Sequence, residues 1–272
     1  DEQNLKDKPK DNIIAQIIYR YIPFWPIFVF LTVLSLAISH FYLRSQTKIY
    51  VASAKVLLKD PQKNGGDTKV LDALNIFSEK KIVENEIIVL RSSSSIQQVV
   101  KNLDIYSSVY NEGKVQKEEL YADNCPLKFI ALNKDSIFEG GKHYFKINWN
   151  EKYVDIDNKK VNFGGVVNIG NTDYRIDINP RYNTGVTGKH YFAIFNTVST
   201  EASHIIGATK AAALSYSSTV IDLKLETAAP EKGVDILNEL CNVYNEAGIE
   251  DKNQMATKTL RFIEDRLDTL IK

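Results

Sequence analysis

Four histidines, two cysteines and a few paired glycines are the residues of this 272-residue chain whose types could do chemistry. Their spacing gives them little to work with. His40, His143, His190 and His204 stand alone in sequence, and His143 and His190 each precede a Tyr-Phe pair at an expected strand start, as edge residues rather than metal ligands. Gly164-Gly165 and Gly185-x-x-Gly188 have strand patterns on both sides and read as hairpin turns, where a nucleotide loop would open a helix. The sequence holds no GxxxxGK[ST] phosphate cradle, no GxSxG elbow and no HExxH pair. Cys125 and Cys241 lack the paired spacing of a zinc site or a redox motif. Cys241 reads as a small apolar packing residue, and a disulfide between the two is open to the chain if its soluble part lies outside the cytosol. Glu264, Asp265 and Asp268 form a solvated helix face. These residues predict no catalytic residue, no metal site and no cofactor.

Lys plus Arg and Asp plus Glu are both 34, so no global field draws the chain to nucleic acid. What stands out instead is Tyr21 to Leu43, YIPFWPIFVFLTVLSLAISHFYL, which has no charged residue between Arg20 and Arg44. As a helix it reaches about 34 Å, enough to cross a hydrocarbon core of about 30 Å. Pro23 and Pro26 fall in its first turns, and Tyr21, Trp25, Phe41 and Tyr42 mark its ends as interfacial aromatics would. The rival is a secretory signal peptide with Ala52-Ser53-Ala54 as its cleavage site. Against it, the polar leader of about 20 residues is long, and the Ala-x-Ala lies inside a predicted strand.

Residues 1–20 are expected to be a tail ending in an interfacial helix, with Ile13, Ile14, Ile17 and Ile18 on one face. After the span (21–43), residues 45–125 open an α/β domain. A strand is expected in KIYVASAKVLL, then a short helix over 69–76 and a longer one carrying Ile82, Val83, Ile87 and Leu90. The serine run 92–95 ends that helix and caps the next, whose apolar face is Ile96, Val99, Val100 and Leu103. Residues 126–197 form an inserted β-rich block with strands in LKFIAL, HYFKINW, YVDID, YRIDI and HYFAIF. Its aromatics read as core and cross-strand pairs in preference to a sugar-stacking platform. The α/β domain returns over 198–229, with a helix from Glu201 to Ala213 and a strand in TVIDLKLET.

The last stretch, 230–272, contains no proline after Pro230, which suits a first helical position. A helix of that length runs about 64 Å, far more than a globular domain needs. Leu237, Cys241 and Tyr244 form a core-facing stripe, Glu250 to Lys258 is almost wholly polar, and Leu260, Ile263, Leu267 and Leu270 recur at three-four-three spacing. That second half predicts a coiled-coil seam for self-association. The pattern is unfinished at Lys272, which predicts a polypeptide that continues beyond it. The fold class expected is α+β: a transmembrane helix, an α/β domain with a β-rich insertion, and a long projecting C-terminal helix.

Two stretches carry a resemblance. ENEIIVLRSSSSIQQVVKNLDI (Glu84 to Ile105), with Leu90 before its serines, and TVIDLKLETAAPEKGVDILNELCNVYNEAG (Thr219 to Gly248), with Pro230, Asn238 and Tyr244, resemble the chain-length determinant (Wzz-type) family of polysaccharide co-polymerases. Gly233 departs from the alanine usual there. The enlarged β block is similar to the exopolysaccharide and capsule branch, where a tyrosine autokinase often follows a second span. The resemblance implies a homo-oligomer in the bacterial inner membrane with residues 1–20 cytoplasmic and the bulk periplasmic. It implies partners too: membrane lipid, a polysaccharide polymerase, an outer-membrane exporter and the nascent polysaccharide. Two other classes compete with it. One is the sensor half of a tyrosine kinase, which requires a Walker-type sequence beyond Lys272; the other is a periplasmic carbohydrate-binding module using the block's aromatics.

Overall fold

A computed structural model describes residues 21–58, 83–113, 116–137, 140–182, 190–215 and 218–271. It divides the chain into two units, Asp1–Gln46 and Thr47–Lys272. In the first, a 3-10 turn at Ile22–Phe24 leads into helix α1, Trp25–Ser45, with Pro26 in its opening turn where no amide is missed. Helix α1 is long and apolar enough to cross a membrane, and none of its candidate span, Trp25–Arg44, is buried within the protein. The expected helices over residues 1–20 and 69–76 lie outside the described residues.

In the second unit, strand β1 (Tyr50–Leu57) pairs antiparallel with β12 (Val220–Thr227), which pairs with β11 (Thr209–Ala213). Ile221, Leu223 and Leu225 point from β12 into the core, as period-two alternation predicts. Helix α2 (residues 83–90) buries Val83 and Leu90. Ser92 then caps α3 (Ser93–Leu103), its hydroxyl accepting from the Ser95 amide at 3.2 Å, and Ile96, Val99 and Val100 are buried. Helix α4 is Val198–Ala208, so the helix expected to reach Ala213 stops five residues short. Its sequel is strand β11, because Thr209 to Ala213 complete the backbone pairing of β12 and sheet pairing outweighs the helical propensity of alanine.

The β-rich part is two facing sheets. One has the order β3-β2-β10-β5-β6-β7: Lys117–Leu120, Ser107–Glu112, Tyr191–Phe195, Lys142–Asn148, Tyr153–Ile156 and Lys159–Asn162. The other is β4-β9-β8: Leu127–Ala131, Thr172–Ile178 and Val166–Ile169. Strands β2 and β3 precede Pro126, yet they complete the larger sheet. Phe129 and Tyr174 of the smaller sheet meet Phe145 and Phe195 of the larger, with ring centroids 4.5 to 5.6 Å apart. Gly164 (φ +78°) and Gly165 carry the chain from β7 in one sheet to β8 in the other, so this turn is a corner between sheets where a hairpin was expected.

Helix α5, Pro230–Ile271, spans 42 residues, about 63 Å. Only its first 15 residues have side chains in the core. Ile236, Leu237, Leu240 and Val243 are buried, Cys241 and Tyr244 half-buried, and every described side chain from Asn245 onward is exposed.

Candidate interaction site: the rooted helix and its exposed seam

A helix that leaves its domain needs a firm root, and the root of α5 is polar as well as apolar. Lys232, in the first turn, is buried, and its ammonium donates to Glu119 Oε1 at 2.7 Å, Glu201 Oε1 at 3.3 Å and Ser108 Oγ at 3.3 Å. Glu119 comes from β3, Ser108 from β2 and Glu201 from α4, so one lysine joins the larger β-sheet to both helices. Burial pulls the ammonium's pKa down, Glu119 and Glu201 push it up, and the carboxylates prevail, holding it above the ordinary lysine range. Glu201 also accepts from Asn196 Nδ2 at 2.8 Å, with His204 Nδ1 3.7 Å from the same oxygen.

Further hydrogen bonds continue along the helix. Tyr121 OH donates to Asp235 at 2.9 Å, Asn102 to Glu239 at 2.6 Å, and Tyr244 OH to Glu86 at 2.8 Å. Burial, and then the Glu86 carboxylate, push the Tyr244 hydroxyl up to about 12. Gly233 sets how closely the helix lies on the sheet formed by β1, β12 and β11. A Cβ built there would stand 2.8 Å from Thr227 Cγ2 and 2.9 Å from Ala52 Cβ. The departure from alanine noted at this position is thus dictated by β1 and β12.

Of the residues singled out from sequence, Leu90 is fully buried, Pro230 opens α5, Tyr244 reaches across to α2, and Glu84 and Asn238 are exposed. In the seam, Leu260, Ile263 and Leu267 are 61%, 48% and 51% exposed; the side chain of Leu270 lies outside those described. Ile249, at 60%, lies on the same face and extends the seam by more than a heptad. The Lys232 cluster was missed because its partners lie 31 and 113 residues away. One signal was available: Lys232 sits four residues before Ile236 and eight before Leu240, a charge on the buried face of an amphipathic helix.

Elsewhere the aromatics of the β block are largely spent on one another. Phe145, Tyr174, Tyr191, Phe192 and Phe195 are buried, and Trp149 stacks on Tyr182 at 5.5 Å with Phe163 at its side. Tyr144 is exposed at 48% and leans on Phe192. His143 pairs with Asp157. Cys125 and Cys241 are both free thiols, Cys125 donating to the Leu127 carbonyl. A cleft of about 90 Å³ lies between Tyr121, Cys125, Asn179 and Asp235, well under the roughly 300–1,000 Å³ of sites for small molecules. No family model and no curated protein matches this chain.

Proposed function

We propose that this chain is a subunit of a polysaccharide co-polymerase, anchored in the bacterial inner membrane by α1, with Thr47 onward in the periplasm. In this reading it acts by assembling with copies of itself and engaging a polymerase or exporter, and it regulates the length, polymerisation or export of a polysaccharide without catalysing a reaction. The observation that carries the reading is α5: its first turns are fixed by Lys232 and Gly233, while its last 27 residues present an apolar seam that is exposed among the described residues. Such surface on a fixed helix is a docking element, and burying each large apolar side chain of the seam is worth about 1.5–3 kcal/mol. The membrane-length helix α1 and the resemblance of Glu84–Ile105 and Thr219–Gly248 supply the setting.

The test is made in the native host. Deleting the chain and restoring it should abolish and then recover a defined length distribution of a surface polysaccharide, read on gels. Restoration with Ile263→Asp and Leu267→Asp should leave the distribution as broad as in the deletion. A polymer unchanged by the deletion overturns the reading.

A further inference from the structure

The larger β-sheet has a second face. Phe145 and Phe195 point from it toward the smaller sheet, so period-two alternation sends Glu112, Phe192, Lys142, Tyr144 and Lys146 to the opposite side. The root of α5 covers one end of that side, where Lys232 meets Ser108 and Glu119. The rest is open among the described residues: Lys117, Lys142, Tyr144, Lys146 and Lys160 are exposed.

Ring faces hold two of these ammonium groups. Lys142 Nζ stands 4.7 Å from the centre of the Phe192 ring, which Tyr110 and Tyr144 flank at 5.1 and 5.8 Å, and Lys160 Nζ stands 5.0 Å from the centre of the Tyr153 ring. Glu112, the cross-strand neighbour of Lys117, accepts from the Tyr144 hydroxyl at 3.3 Å. Lys117 reaches across from β3 and lies against Lys142. That contact, and then desolvation, hold the Lys142 ammonium below the ordinary lysine range, with Glu112 opposing them. Two like charges drawn together beside one ring repel until an anion lies between them.

We propose that this face binds an acidic saccharide chain, Lys117 and Lys142 together taking a sugar carboxylate and the Tyr144 ring taking the apolar face of that sugar. The inference rests on the co-polymerase reading and adds to it where the polymer is held and that it is anionic. Aromatic and cation recur along the face, which suits a chain better than a lone anion. On β5, Lys142, Tyr144 and Lys146 alternate over about 14 Å, and Tyr153 with Lys160 lies on the next two strands. Tyr144 offers a ring face together with a hydroxyl oriented by Glu112, as a sugar with C–H groups on one side and hydroxyls at its edge requires. Among the described residues, four lysines against Glu112 and Asp155 leave the face net positive, Asp157 being paired with His143. A bilayer fits less well, because Tyr144 is the single large apolar side chain exposed on this face among those described, and insertion among lipid tails takes several.

The experiment uses the full chain in detergent micelles and isothermal titration calorimetry. The probes are an oligoglucuronate, a neutral oligoglucan of equal length, free glucuronate, inorganic phosphate, and glycerol phosphate as the head group of an anionic lipid. The expected result is that the oligoglucuronate binds about tenfold or more tighter than every other probe. Its affinity should fall about tenfold or more in Lys117→Gln with Lys142→Gln and in Tyr144→Ala, and hold in Lys128→Gln on the smaller sheet. Circular dichroism of each variant should match the wild type, since these side chains are exposed. The inference is overturned if the oligoglucuronate does not bind, if the neutral chain binds equally, or if the double lysine variant loses no more than Lys128→Gln. Phosphate or glycerol phosphate binding tighter than the oligoglucuronate, and lost in the same double variant, also overturns it and gives the lysines to another anion. In all these cases the co-polymerase reading stands, because deletion in the host tests it separately. Binding as expected, beside a polymer unchanged by the deletion, upholds the site and overturns that reading alone.

Discussion

Lys232 Nζ and Glu119 Oε1 stand 2.7 Å apart in the protein interior although 113 residues separate them in the chain. With Glu201 on the ammonium's other side, the first turn of α5 is fixed to the β-rich part by charge as well as by packing. Lys232→Met removes the ammonium that pairs with both carboxylates and leaves Glu119 and Glu201 buried without it. Loss of about 3–5 kcal/mol is expected by urea unfolding of residues 47–272. Replacing all three residues by apolar ones of similar size should recover most of it. Because the folded-state pKa of Lys232 is raised, its contribution is full below about pH 10.4 and fades only as pH rises further. The gap between wild type and the all-apolar triple variant should therefore hold constant from pH 7 to pH 9.

Gly233→Ala and Gly248→Ala should act in opposite senses. Alanine favours a helix over glycine by about 1 kcal/mol, and at Gly248 nothing lies within 4 Å of the added methyl, so the tip of α5 gains. At Gly233 the methyl meets Ala52 Cβ and Thr227 Cγ2, and Thr227 is held by its hydrogen bonds with Ala229. A net loss of about 1–3 kcal/mol is expected, read as a lower midpoint in the same unfolding series.

Cys125 should make the fold sensitive to alkali. Burial pushes its thiol from 9.0 up to about 11. Between those values the unfolded chain ionises and the folded one does not, so stability falls as pH rises, by up to about 1.4 kcal/mol per pH unit. Cys125→Ala should reduce that slope between pH 9 and 11, the Tyr174 and Tyr244 hydroxyls keeping the remainder. A thiol reagent at pH 8 should label Cys241 far faster than Cys125 in the native protein, read by mass spectrometry of peptides.

For α1 the expected outcome is retention. The chain should stay with membranes through an alkaline carbonate wash, and residues 47–272 expressed alone should be released. Recovery of a mature protein beginning at Lys55 would identify the preceding segment as a cleaved signal instead.

Ile263→Asp with Leu267→Asp should weaken self-association on the order of 100-fold or more, since two buried side chains per copy are lost. Circular dichroism should report an intact domain, because neither residue touches it.

The amino-acid sequence by itself determined the elements whose causes are local. Apolarity without charge over Tyr21–Leu43 dictates α1, and the serine at position 92 dictates the break before α3 through its own hydroxyl. Alternation of Ile221, Leu223 and Leu225 dictates β12, and the unbroken run from Pro230 dictates α5 with its seam. What only the tertiary structure decided depends on partners distant in the chain. Thr209 to Ala213 become a strand because β12 offers an edge. Strands β2 and β3 join the larger sheet because β10 lies there to receive β2. Gly233 is required by two strands it cannot see in sequence, Ala52 on β1 and Thr227 on β12. Lys232 shows the division most clearly. Its position on the buried face was legible, but the carboxylates that make burial tolerable come from β3 and α4, and a lysine is kept inside only where the fold has already brought such partners to it.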